Sequence, residues 1–330
     1  MLRPAMPMRK SMTLRFRSAT AAAAALVLGM SLAVAGCGKY SMSTLKAQKA
    51  YKEAVEFYKA QDWKQAASNY EYTIAQNPDK VEAYFYLGNS YDNMYKPSRV
   101  GEAENDGYIQ KAIDNYQKAA QRDPNPQMKK LALEYLVAAY GPEKLNAPEK
   151  AEPIVQQMIQ MEPNEPTNHF ALAKIYEDAG RYDEAEAALN KAREVKPNDP
   201  LVYTTLSGFY NRQGDFDKTM EALHKAADLA PNDPQGFQLM ATYYWEKVYK
   251  DHRLTSPQKK TYIAEGLVNT DKALALNPDY DDALAFKNLL LRLQGNEETD
   301  MAKRAALYKQ ADELKERATQ LKRKKATGAR

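Results

Sequence analysis

From residue 47 onward, apolar side chains return every three or four positions, in stretches separated by short polar runs that carry Asn, Pro, Gly and Asp. In 166–199 the returning positions are Leu172, Ala173 and Tyr176, then Ala185, Leu189 and Ala192. Such spacing places one apolar stripe on each helix, so the chain reads as a series of amphipathic helices joined by tight turns. Pairs such as Asn77-Pro78, Pro197-Asn198 and Pro231-Asn232 end every second helix, because Pro cannot continue the helical hydrogen-bond ladder.

The pattern also repeats. Gly180, Tyr182, Ala185, Leu189, Ala192 and Pro197 recur 34 residues later as Gly214, Phe216, Thr219, Leu223, Ala226 and Pro231. Ahead of each set stand Leu172, Ala173 and Tyr176, then Leu206, Ser207 and Tyr210. The chain resembles the tetratricopeptide repeat family on these residues. The resemblance implies an all-α, right-handed superhelical solenoid of antiparallel helix pairs, with small residues at the crossings and aromatic residues filling the gaps. Carried along the chain, the register gives repeats at 47–80, 81–126, 127–165, 166–199, 200–233 and 234–280. The third fits on Leu133, Val137, Ala151 and Pro163 only with about five residues inserted around "GPEKLNAP". A partial seventh begins at Asp281, so the solenoid spans 47–295. Residues 296–330 form a charged capping helix with a basic tail, because a terminal repeat has no neighbour to cover its outer face.

The first 46 residues have another character. Arg3, Arg9, Lys10, Arg15 and Arg17 precede an uncharged run from Ser18 to Gly36, the layout of a secretory signal, with Met8 or Met12 as alternative starts. The apolar stretch from Ala21 to Ala35 is shorter than the roughly 20 residues a spanning helix needs. Val34, Ala35 and Gly36 before Cys37, the sole cysteine, resemble the lipobox of bacterial lipoproteins. That resemblance implies a signal peptide over 1–36, a diacylglyceryl and palmitate-type anchor on Cys37, and a linker over 37–46. Gly38, in place of the Asp that holds enteric lipoproteins in the inner membrane, implies the outer membrane, facing the periplasm. Two or three acyl chains hold a domain at a membrane where one binds marginally. The competing readings are an ordinary cleaved signal and an uncleaved anchor.

Without residues 1–36 the charge is nearly balanced, at 42 basic against 43 acidic residues. The last 30 residues carry 10 basic and 3 acidic groups, so an acidic body ends in a basic tail, read as a solvated and partly disordered end. A secreted, acidic body excludes a nucleic-acid role.

Catalytic and metal signals are missing from the sequence. His169, His224 and His252 stand apart with no zinc-ligand spacing, and neither phosphate-binding glycine loops nor a nucleophile elbow occurs. His169 occupies the slot filled by Tyr203 and Phe237 in the next repeats, a packing position. The chain therefore reads as non-enzymatic, without cofactor or metal. It is expected to be an interaction scaffold or assembly factor whose partners are envelope proteins or peptides, with a self-assembling envelope array and a regulator of a cell-wall enzyme as rival readings.

The family resemblance also implies a concave groove lined by the first helix of each repeat. Its candidates are Phe85, Asn89, Asn93, Lys174, Asn211, Arg212 and Trp245, together with Asp92, Phe170, Thr204, Gln238 and Thr242. The lysines of a carboxylate clamp are replaced by Phe85 and Thr204. Two insertions, "YKPSRVGEAENDGYI" and "YKDHRLTSPQKKTYI", align at a shift of 154 residues, matching Tyr95 with Tyr249, Arg99 with Arg253 and Tyr108 with Tyr262. They are expected to form paired projections on one edge, each closed at its base by its tyrosine pair, with the arginines outward.

Overall fold

The structure, a computed structural model, describes residues 41–327. It contains helices and turns and, among the described residues, no strand. The chain divides at Asn146 into two compact units. Cys37 and its flank Val34, Ala35 and Gly36 lie outside the described residues.

The first unit holds α1 (Met42–Lys59), α2 (Trp63–Gln76), α3 (Glu82–Met94), α4 (Ala103–Arg122) and α5 (Pro126–Tyr140). Consecutive helices pack against one another, and α3 also meets α5. α1 starts at Met42, five residues inside the stretch read as a linker, because the Ser41 hydroxyl accepts from the Thr44 N–H and caps it. Small residues set the helix spacing. Ala54, Ala66, Ala83 and Ala112 are fully buried, and a Cβ built on Gly88 would stand 2.9 Å from the Tyr116 ring and 3.1 Å from the Ala112 carbonyl.

The second unit holds α6 (Pro148–Met161), α7 (Pro166–Asp178), α8 (Tyr182–Val195), α9 (Pro200–Arg212), α10 (Phe216–Leu229), α11 (Pro234–Lys250), α12 (Ser256–Leu276), α13 (Asp281–Asn296) and α14 (Met301–Ala326). The tightest pairs are α7 with α8, α9 with α10, α11 with α12 and α13 with α14. The two helices read from the sequence as repeat three, α5 and α6, fall in different units. The turns between pairs serve two helices at once. In "KPNDP", α8 has ended, and Asp199 then accepts from the Leu201 N–H while Pro200 opens α9; Asp233 and Pro234 do the same for α11. Within the pairs, Gly180 (φ 73°) and Gly214 (φ 77°) make the hairpin turn in the left-handed region.

The capping element is a 26-residue helix, α14, laid on α13 through Ala311 and Ala318. The basic run is its last turns and is helical through Ala326, which corrects the reading of a partly disordered end. Its cations meet the acidic start of α13: Arg317 bonds Asp279 at 2.8 Å, Lys322 bonds Asp282 at 3.0 Å and Lys325 bonds Asp281 at 2.5 Å. The two helix ends carry dipoles that suit these side-chain charges.

Candidate functional site

In the first unit α3 carries a polar chain across its width. Tyr58 Oη donates to Asn89 Oδ1 at 2.6 Å, Asn89 Nδ2 reaches Tyr116 Oη at 3.4 Å, and Tyr116 Oη donates to Asp92 Oδ2 at 3.1 Å. The other carboxylate oxygen, Asp92 Oδ1, takes the ammonium of Lys144. Burial pushes the Tyr116 phenol strongly up, and the charge of Asp92 adds to it, so this hydroxyl acts as a permanent donor. Phe85, Tyr116 and Tyr135 pack ring on ring beside this chain, with centroids 5.2 to 5.7 Å apart.

Two groove assignments are corrected here. Phe85 is a core residue, 4% exposed and enclosed by those rings. Asn89 is buried with both amide atoms engaged, so it has no free face for a peptide. Asn93 is exposed, and its amide is tied to the Asn89 carbonyl at 2.8 Å. The sequence reading missed Lys144, which lies in the insertion "GPEKLNAP", 52 residues from Asp92, where no spacing signals the pairing.

In the second unit the groove candidates of α7, α9 and α11 share a lane. Arg212 donates from Nε and Nη2 to Glu177 at 2.6 and 2.9 Å, linking α9 to α7, and Lys174 pairs with Asp178 one turn along α7. Arg212 and Lys174 are exposed, and Asn211 is half-buried. Asn211, Phe216, Tyr243, Lys247, His252 and Arg253 line a cleft of about 520 Å³ that runs from the α9–α10 turn to the loop after α11. Trp245 is half-buried, stacked on Tyr249 at 5.0 Å and edge-on to Phe286 at 5.7 Å. Phe170, Thr204, Gln238 and Thr242 are likewise half-buried, and Gln238 Nε2 bonds Thr242 Oγ1 at 2.9 Å.

The insertions are built differently from the expected tyrosine-closed projections. In the first unit Asn105, 3% exposed, accepts from the Lys96 N–H and donates to the Lys96 and Arg99 carbonyls, stapling the 96–102 loop to α4. Tyr95 is buried at the end of α3, and Tyr108 stacks on Tyr91 rather than on Tyr95. In the second unit most of the insertion lengthens α11 and α12. Tyr249 stacks on Trp245, while Tyr262 packs on Phe216 and Tyr244. The tyrosine pairs therefore do not close the insertions: Tyr108, Tyr249 and Tyr262 each pack on another ring, and Tyr95 is buried at the end of α3. Arg99 and Arg253 do face outward, each held by a carboxylate, Glu102 and Asp251. Asp251 also takes Lys247 at 3.1 Å, and the arginine and lysine bonds hold its carboxyl well below the usual range.

His169 is 9% exposed; burial lowers its pKa, the charge of Lys191 lowers it further, and a hydrogen bond at Pro163 opposes them. Among the described residues no group of three His, Cys, Asp or Glu side chains could hold a metal ion, and no helix is long and apolar enough to cross a membrane.

Residues 51–93 and 144–207 match models of the tetratricopeptide repeat. The chain thus carries tetratricopeptide repeats, which serve as protein–protein interaction modules and are generally non-catalytic, and it folds as an all-α tetratricopeptide solenoid. Similar solved structures include a tetratricopeptide repeat protein from Parabacteroides merdae ATCC 43184, at 15% identity over 84% of this chain and 97% of that one, with a TM-score of 0.47. MamA (41-end) from Desulfovibrio magneticus RS-1 is 16% identical over 56% of this chain and 96% of its own, with a TM-score of 0.42. YrrB, described as a TPR protein with an unusual peptide-binding site, is 19% identical over 55% of this chain and 85% of its own, with a TM-score of 0.38. No curated protein matches the sequence.

Proposed function

We propose that this chain is a lipid-anchored tetratricopeptide scaffold of the bacterial cell envelope, held through Cys37 in the outer membrane and facing the periplasm, where it binds another envelope protein and helps assemble or position it. The observation that carries the binding reading is the second unit's cleft of about 520 Å³, lined by the Asn211 amide of α9, the Phe216 and Tyr243 rings of α10 and α11, and the Arg253 guanidinium of the loop after α11. Groups of this kind suit an extended or helical peptide, with main-chain bonds from Asn211 and ring contacts from Tyr243. The anchor is supported by the basic segment, the short apolar run and the small residues before Cys37.

Photocrosslinking from position 211 in intact membranes, followed by mass spectrometry, tests the scaffold reading. A specific partner peptide is expected, and its capture should fall when Lys174 and Tyr243 are replaced by Ala. Capture of nothing but other copies of this chain would favour the self-assembling array. Intact mass and fractionation test the anchor: Cys37→Ser should release the protein from the membrane, and a mature species starting at Cys37 without acyl mass would refute lipidation.

A further inference from the structure

We propose that Asp92 is a receptor for a primary ammonium group, filled in cis by Lys144 and available to a lysine side chain of a partner when the 141–147 loop lifts. The proposal rests on the scaffold reading and adds a partner chemistry and a means of control to it.

The carboxylate is unusual for its place. Asp92 stands on α3 one turn from Asn89, on the face that the repeat register assigns to the groove, yet its side chain is only 7% exposed. A charge removed from water to that extent needs a cation held close by. Among the described residues no helix supplies one. Tyr116 from α4 offers a phenol, and the counter-charge arrives from a loop 52 residues further along the chain. That loop bonds mainly to itself and to the end of α5: Lys144 N–H and Asn146 N–H donate to the Gly141 carbonyl, and Leu145 N–H to the Ala139 carbonyl. Its tie to α3 runs through the Lys144 ammonium. Pro142, Glu143, Leu145 and Asn146 are exposed, and Asn146 adopts φ 46°, a left-handed conformation that L residues take at a cost. The Lys144 side chain is 24% exposed, so its stem traces a path from solvent to the carboxylate.

The receptor is also prearranged. Tyr58 orients Asn89, Asn89 meets the Tyr116 hydroxyl, and that hydroxyl holds Asp92 Oδ2, leaving Oδ1 turned to the loop. With one oxygen already taken, the site offers a single-point contact. A compact ammonium satisfies it, whereas a guanidinium needs both oxygens for its forked pair. The chemistry therefore selects lysine over arginine.

The test is a chemical rescue with n-butylammonium, read as the melting temperature of the full chain by circular dichroism. Lys144→Ala should melt below wild type and regain roughly 2–5 °C at a butylammonium concentration ten times its dissociation constant. Butylguanidinium and tetramethylammonium at equal ionic strength should restore much less. Wild type and Asp92→Asn/Lys144→Ala should not respond. If Lys144→Ala does not fold, Lys144→Gln takes its place and the readout is recovery of helical signal. A butylammonium response absent from both variants, or equal in the Asp92→Asn double variant, overturns the proposal. Either result leaves the crosslinking test of the scaffold reading untouched.

Discussion

The Tyr210 hydroxyl donates to Glu186 at 2.8 Å, 24 residues earlier, and the Tyr176 hydroxyl donates to Glu152 at 2.9 Å, again 24 residues earlier. Donors and acceptors are each separated by the 34-residue repeat, and each bond joins the first helix of one repeat to the second helix of the repeat before it. A cation covers each ring, Lys218 at 4.9 Å and Arg181 at 4.3 Å. Burial and the carboxylate push the Tyr210 phenol up, while the Tyr210 bond, aided by Lys218, holds the Glu186 carboxyl below its ordinary range. Tyr210→Phe keeps the ring and removes the bond, so it should cost about 1–2 kcal/mol, as hydrogen bonds to charged groups do. A double-mutant cycle with Glu186→Gln should return a coupling of about 1 kcal/mol, and a coupling near zero would mark the contact as incidental.

Gln61 stands in repeat one where Gly180 and Gly214 stand in their repeats, and it adopts the same left-handed turn with φ 58°. An L residue loses about 1–2 kcal/mol in that conformation and glycine does not, although glycine gives back roughly 0.5–1 kcal/mol in chain entropy. Gln61→Gly should therefore stabilise the first unit by about 0.5–1 kcal/mol, visible as a higher urea midpoint at unchanged slope. Gly214→Ala should lower the midpoint, although no atom lies within 4 Å of the added methyl.

The helices were legible because their stripes and turns obey a local rule, and the 34-residue period alone sets Gly180 and Gly214 at equivalent turns. The site was less legible. Groove positions follow from register only when the groove is open, and here Asn89 is taken by Tyr58 and Tyr116 while Asp92 takes Lys144 from a loop outside the register. Long-range pairings such as Asp92 with Lys144, or Lys325 with Asp281, leave no periodic trace. The tyrosines of the two insertions misled for a related reason: equal spacing at a shift of 154 residues preserved residue type, while Tyr95 became buried and Tyr249 remained 59% exposed.

Gly88 and Gly236 separate close packing from mere helix propensity. At Gly88 a methyl would meet a fully buried Tyr116 ring and a backbone carbonyl inside 3.2 Å, and neither can retreat. Gly88→Ala should cost about 1–3 kcal/mol by overpacking the α3–α4 crossing. At Gly236 the nearest atom is the Ala227 Cβ at 3.7 Å, an ordinary contact. There the substitution should stabilise α11 by about 0.5 kcal/mol through helix propensity alone. Equal effects in thermal melts would contradict the crossing geometry.

The basic end of α14 should behave as a pH-dependent clasp on α13. Asp281 is 6% exposed; burial raises its carboxyl pKa, but the Lys325 hydrogen bond and charge, with help from Lys322, outweigh burial and hold it below the ordinary value of 3.8. A carboxyl depressed in the folded state stabilises fully above its unfolded pKa, and the contribution disappears as pH falls through the folded value. The clasp is thus intact at neutral pH and is lost on acidification below about pH 4. Lys322 with Asp282 and Arg317 with Asp279 are largely exposed pairs, each worth under about 1 kcal/mol and weakened by salt. Ending the chain after Gln320 removes Lys322 and Lys325 and strands Asp281, so at pH 7 the second unit should lose about 1–2 kcal/mol. The shortened chain should then lose less melting temperature than the full chain between pH 5 and pH 3, because its Asp281 no longer has the clasp to surrender. Parallel pH profiles for the two chains would show that the Lys325 contact is solvated and that the basic turns are free to engage something else.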